Sequence, residues 1–260
     1  MSDTRSQAPA TEPTAASPLG ALGTLIRWTL NQAGPALPLV IVVQIVLAAS
    51  MILGFGMLIP NLDEKAALFL STGTPTVMLL MVGFVVVPQN VATARNTGAF
   101  QYMRSLPVPR AMMFVADTVV WVLVAVPGVA VAVLVAQWAY GLDLTVDWVI
   151  LLLGGLLVAV MGTAVGYAIA VTFAPMVAQI LTQVLAFFLM LFSPVTYPAS
   201  QMPEWFQRVH DFLPIEAGAT LIRAGIASNH FTWEAKDLFV LALWTLLGVI
   251  LSLRALTRRG

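Results

Sequence analysis

Few side chains in this 260-residue sequence could carry chemistry, and their types narrow what that chemistry is. Histidine occurs twice, as His210 and His230, in no metal-ligand spacing such as HxxxH, and cysteine does not occur. Thiol catalysis, disulfides and thiolate metal sites are thereby excluded. The sequence contains no GxxxxGK[ST], so it cannot bind ATP through a P-loop. Asp117, only about two turns inside one end of a long apolar block, is the one acidic or basic candidate at membrane depth. A carboxylate so placed hydrogen-bonds a neighbour, reaches toward nearby arginines, or serves a substrate or gate. Ion-coupled carriers and proton pumps need such groups at membrane depth to bind the driving ion, and only this one is offered. No nucleophile with a base and no set of carboxylates lies in the apolar blocks, so neither a catalytic residue nor a metal site is expected. The remaining polar groups are uncharged. Gln179, Thr182 and Gln183, at i, i+3 and i+4, form one helical stripe that lines a pathway or hydrogen-bonds to another helix.

The elements that must position these groups follow from composition. Hydrophobic residues make up 60% of the chain and charged residues 9%, against roughly 45–50% and about 25% in soluble domains. The apolar residues fall in blocks near the roughly 20 needed to cross a bilayer. The reading is an all-α polytopic membrane protein with six spans, at about 37–59, 75–93, 112–138, 148–173, 176–192 and 238–253. Residues 1–18, rich in Ala, Pro, Ser and Thr, read as a disordered cytoplasmic tail without the features of a secretory signal peptide. Residues 19–260 form the transmembrane domain. Leu19, Leu22, Ile26 and Leu30 recur at helical spacing beside Trp28, which predicts a short helix in the membrane plane before the break at Gly34 and Pro35. Pro88 is expected to kink the second span. Gly162 and Gly166 on the fourth make a small-xxx-small pattern that favours close helix packing.

Six spans put both termini on one side. Eight basic residues (Arg5, Arg27, Arg95, Arg104, Arg110, Arg254, Arg258 and Arg259) share that side, and four (Lys65, Arg208, Arg223 and Lys236) lie opposite. The positive-inside rule therefore predicts cytoplasmic termini. Lys+Arg and Asp+Glu balance at 12 each, so net charge points to no nucleic-acid partner.

Two polar segments stand out between spans. The first, Arg95 to Arg110, reads RNTGAFQYMRSLPVPR. Phe100, Met103 and Leu106 lie at near-helical spacing among arginines and are ended by Pro107. They predict a short amphipathic helix whose apolar knobs fit a partner's groove or lie on lipid headgroups. The second contains SPVTYP from Ser193 to Pro198, MPEWF from Met202 to Phe206, and Phe212-Leu213-Pro214. Pro203 suits a first helical turn and Glu204 its dipole. Trp205, Val209, Phe212 and Leu213 predict an apolar face, Pro214 a stop, and Ile215–Ala224 a second short helix. The pair reads as a re-entrant outer hairpin, tolerated at membrane depth only if packed on protein, or as an ordinary surface loop.

In this order, between these spans, the two segments resemble the ABC-2 type permeases, the membrane subunits of one class of ABC exporter. The resemblance covers nearly the whole chain after the tail. The family's first cytoplasmic loop carries a glycine, here Gly98, and a Leu-Pro-Val-Ser-Arg-like ending, here Leu106-Pro107-Val108-Pro109-Arg110 with Pro109 for the usual Ser. Acidic residues often flank that glycine; Asn96 and Gln101 stand there instead. The resemblance implies that Arg95, Gly98, Phe100, Met103, Arg104, Leu106, Pro107 and Arg110 form the coupling helix that docks on a separate ABC ATPase subunit. ATP and Mg belong to that partner, and this chain needs no cofactor. Two permease copies, identical or homologous, pair in the cell membrane, and the outer hairpin with Pro198, Pro203, Glu204, Trp205 and Pro214 caps the pathway. By the same analogy the pathway runs between the first, second and fifth helices of the two halves. A lining of Met51, Phe55, Met78, Met81, Gln179, Thr182, Gln183 and Phe187 would suit lipophilic drugs, antibiotics or lipids. Alternatives are export of a lipid-linked glycan, or a scaffold or sensor subunit that transports nothing.

Overall fold

The computed structural model describes residues 18–59, 63–105, 108–195, 197–198 and 202–257, except the side chains of Pro18, Arg104 and Thr257. The expected N-terminal tail, Leu106, Pro107, Thr196, Arg258 and Arg259 lie outside the described residues. Every regular element described is helical: α1 (Pro18–Ala33), α2 (Leu37–Leu58), α3 (Glu64–Met81), a π turn (Val82–Val86), α4 (Val87–Asn96), α5 (Ala99–Ser105), α6 (Arg110–Tyr140), α7 (Trp148–Thr172), α8 (Pro175–Phe192), α9 (Glu204–His210), α10 (Pro214–Ile226) and α11 (Ala235–Thr257). Six stretches are long and apolar enough to cross a membrane: Leu37–Leu58, Glu64–Asn96, Arg110–Tyr140, Trp148–Thr172, Pro175–Phe192 and Ala235–Leu256.

The second span corrects the sequence expectation most. It begins at Glu64 rather than near Pro75, because the Asp63 side chain caps α3 by accepting the Ala66 N–H at 2.8 Å. Pro75 then lies inside the helix. The run Ser71–Thr76, polar enough to read as a loop, is wholly buried, and Thr72 and Thr74 return their hydroxyls to the Leu68 and Leu70 carbonyls of their own helix. This span is 83% buried over its most apolar stretch, whereas the other five reach 22–44%, so it is the centre of the bundle. The expected irregularity at Pro88 takes the form of a π turn just before it. The Val87 N–H bonds the Val82 carbonyl five residues back, which widens the helix where proline supplies no donor.

That widened turn lies against α7. A Cβ on Gly83 would meet the backbone of Gly162 and the Thr163 nitrogen at 2.6 Å, and one on Gly166 would meet the Gly83 carbonyl. The glycine pair of the fourth span therefore lets two backbones touch. On the other flank α2 packs against α6, where Gln44 donates to the Val124 carbonyl at 3.0 Å and fills the space beside Gly128. Tyr140 donates its hydroxyl to the Ile52 carbonyl at 2.6 Å. Along α11, Thr245 and Ser252 donate to the Leu157 and Ala164 carbonyls, fixing this helix on α7.

The segment between the fifth and sixth spans folds as two short helices where the prolines predicted them. Pro214 opens α10 at its first turn, and α10 is buried along most of its length against α7, α11 and α3. The predicted apolar face of α9 is turned outward. Trp205, Val209 and Phe212 are exposed, and the helix turns Phe206 and His210 inward, where Phe206 meets Phe192 and His210 edge-on. The end of α8 sets this face, because it offers an aromatic ring directly beneath Phe206.

Candidate functional site

At the arginine-rich end, α1, the end of α4, α5 and the start of α6 enclose a small polar space. Thr29 of α1 donates its hydroxyl to Asp117 of α6 at 2.8 Å. Gln32, Asn90, Phe100, Met103, Trp121 and Tyr167 complete the walls of a water-sized cavity of about 30 Å³. Of the roles open to Asp117 from sequence, the structure shows the hydrogen bond to a neighbour. Its partner, Thr29, could not have been identified without knowing that α1 folds back over the third span.

The chain enters α5 through Gly98, whose φ of +80° is a left-handed conformation suited to glycine, and the Tyr102 N–H bonds the Gly98 carbonyl at 3.0 Å. The sequence expected Phe100 and Met103 to present apolar knobs outward. Both instead point into the chain, 7% and 8% exposed, because the space beneath α1 and Asp117 has to be filled. Among the described side chains of α5, Gln101, Tyr102 and Ser105 are exposed. Tyr102 stacks on Trp28, with ring centroids 5.7 Å apart, so α5 is joined to α1 from outside as well as from within. Leu106, Pro107 and the Arg104 side chain, expected in the same site, lie outside the described residues.

Arg95 and Arg110 hold helix ends. Arg95 donates to the Ala170 and Phe173 carbonyls at the end of α7, and Arg110 donates to the Leu256 carbonyl of α11 at 2.8 Å. A cation at a helix C-terminus satisfies carbonyls that lack intrahelical donors and opposes the helix dipole favourably. Sequence spacing places arginines at this end but cannot say whose carbonyls they meet.

The predicted pathway residues separate into two groups. Met51 and Met78 are buried in the chain's own core, and Thr182 bonds back to the Ala178 and Gln179 carbonyls of its own helix. Met81 is half-buried. Phe55 on α2 and Gln179, Gln183 and Phe187 on α8 are exposed, on helices that flank the central α3. The stripe read from sequence is therefore two exposed glutamines and one internally bonded threonine.

At the opposite end a cavity of about 160 Å³ is lined by Phe69, Pro198, Glu216, Thr220, Arg223 and Phe231. Arg223, 4% exposed, donates to the Pro194 and Val195 carbonyls and lies 3.7 Å over the Phe69 ring. Burial pushes its pKa down to about 9, and nearby Glu216 opposes that shift. The arginine pins the Ser193–Pro198 segment to α10 and α3. Sequence reasoning missed this role; the available signal was a lone arginine inside the apolar Ile215–Ile226 run.

The family model described as ABC-2 type transporter matches residues 22–227, from within α1 to the end of α10. No curated protein matches the chain.

Proposed function

The chain belongs to the ABC-2 type transporter family, a family of multi-pass membrane transport components that generally work with an ABC ATPase, and on that premise we propose that it is the permease of an ATP-driven exporter. It moves lipophilic drugs, antibiotics or lipids out across the cell membrane, with both termini cytoplasmic. A separate ATPase subunit binds ATP and Mg and docks on the segment from Arg95 to Arg110. Two permease copies pair, and the exposed Phe55, Gln179, Gln183 and Phe187 line the route between them. The outer segment with Pro198, Pro203, Glu204, Trp205 and Pro214 closes its far end.

The observation that carries this reading is the attachment of α5. Its apolar side is buried beneath α1 and against Trp121 and Tyr167, and its tyrosine is stacked on Trp28. A push on this helix is thereby passed to α1 and to the third and fourth spans rather than absorbed in a loose loop. ATP binding closes the ATPase pair, moves α5, and rocks the spans it contacts between two accesses. Few acidic or basic groups lie at membrane depth, which suits a motive force delivered by another subunit. Co-expression with the cognate ATPase tests the proposal. The complex is expected to co-purify, to lose its ATPase on Arg104→Glu while the permease remains in the membrane, and to hydrolyse ATP faster with a lipophilic substrate in vesicles. Uphill flux by the purified chain alone on a proton or sodium gradient overturns it.

A further inference from the structure

One concave surface of the bundle is left open by the described helices of the chain. Between α6, α7 and α11 lies a groove of about 500 Å³, a volume of the same order as small-molecule sites, and Phe114, Val115, Val119, Leu123, Leu156 and Leu253 form much of its wall. Thr118, the wall's hydroxyl-bearing side chain, donates to the Phe114 carbonyl of its own helix at 2.7 Å and so presents no polar demand to an occupant. The groove runs along α6 from Ala111 to Leu123. Those twelve steps at a rise of about 1.5 Å give roughly 18 Å, close to half of a hydrocarbon core about 30 Å thick. It thus covers one leaflet, the one at the arginine-rich end.

Charge marks its mouth. Arg110 lies one helical turn before Phe114, on the same face of α6, and is half-buried against the end of α11. Arg254, exposed, follows Leu253 of the groove wall directly. An apolar trough one leaflet deep, with arginines from two helices where a headgroup would sit, is complementary to a single class of membrane molecule. We propose that this groove is a binding site for an anionic phospholipid of the arginine-side leaflet, with an acyl chain along Val115, Val119 and Leu123 and the phosphate at Arg110 and Arg254. Uncharged or zwitterionic lipids fill the trough but gain nothing from the arginines, whereas an anionic headgroup gains from each. The site lies on the third, fourth and sixth spans, away from the α8 face proposed for the transport route, so the bound lipid is a resident rather than a cargo.

Native mass spectrometry of the purified full-length chain, delipidated and titrated with phosphatidylglycerol or with phosphatidylcholine of the same acyl chains, tests this. One phosphatidylglycerol per chain is expected to be retained in preference to phosphatidylcholine. Arg254→Gln should weaken retention roughly fivefold, the worth of about one basic residue at a membrane surface. Val119→Trp and, independently, Val115→Trp replace outward-facing residues and fill the trough; either should abolish the preference while the thermal unfolding profile stays that of the parent. Equal retention of the two lipids, or a preference unchanged in Arg254→Gln or in a properly folded tryptophan variant, overturns the proposal. The measurement needs neither an ATPase nor a transported substrate, so its failure is separate from failure of the transport reading.

Discussion

Alanine at Gly83 should force the second span away from α7 and destabilise the bundle, and the size of the effect can be worked out. A new Cβ there would lie 2.6 Å from the Thr163 nitrogen and 2.8 Å from the Gly162 Cα, both main-chain atoms of α7. No rotamer change relieves a clash between backbones, so the helices must separate. Overpacking of this kind costs about 1–3 kcal/mol, offset by up to about 1 kcal/mol of helix propensity gained over glycine. A net loss of about 1–2 kcal/mol is expected, which at this chain size lowers the unfolding temperature by roughly 2–8 °C. Gly166→Ala, whose Cβ would meet the Gly83 carbonyl from the other side, should behave alike. Gly54→Ala is the control, because its Cβ would meet nothing within 4 Å. Purified variants in detergent, unfolded by heat and followed by tryptophan fluorescence, give the comparison. If Gly83→Ala unfolds at or above the temperature of Gly54→Ala, the close approach of the π turn to α7 does not govern stability and the reasoning fails.

The hydrogen bond between α1 and the third span predicts that Thr29→Val loses about 1.5–3 kcal/mol, the worth of a bond to a charged acceptor, while Thr29→Ser keeps most of it. Trypsin cleavage after Arg27 reports the release of α1, and equal cleavage of the two variants would refute the role. A second expectation concerns pH. Burial holds the His210 pKa below its usual 6.5, opposed by the backbone of Phe192, so the unfolded chain takes up the proton first. The stability this histidine contributes is therefore complete above about pH 6.5 and is lost as pH falls below that value. Glu216 works the other way, since burial and Asp211 push its pKa up and acidification favours its folded form. The difference between the parent and His210→Gln isolates the histidine. The parent should lose more thermal stability between pH 7.5 and 5, and identical losses would count against a buried neutral imidazole.

Long apolar periodicity was legible without coordinates, because a lipid-facing span leaves little ambiguity once charges are confined to its ends. The first, third, fourth, fifth and sixth spans begin and end within a few residues of the sequence reading. The second did not, and the reason is its place in the bundle. A helix surrounded by protein can contain Ser71, Thr72, Thr74 and Pro75, with Thr72 and Thr74 bonded back to carbonyls of their own helix, so hydropathy locates its more apolar half alone. The same physics hid the direction of α5. Phe100 and Met103 have the spacing of an interaction face, but spacing does not say whether a partner subunit or α1 covers it.

The arginines show where sequence and structure answer different questions. Counted along the chain, Arg95 and Arg110 are part of the basic excess that orients a membrane protein. In the folded chain each also closes the end of a distant span, Arg95 on α7 and Arg110 on α11. These roles reinforce each other, because the last carbonyls of a span reach the interface at the depth where a basic residue is electrostatically favoured. Arg95 donates to both carbonyls through one nitrogen, Nη1, so a single charged group closes the end of α7. The residues that make up the basic excess at this end therefore also tie the ends of α7 and α11 to the two ends of the loop between the second and third spans.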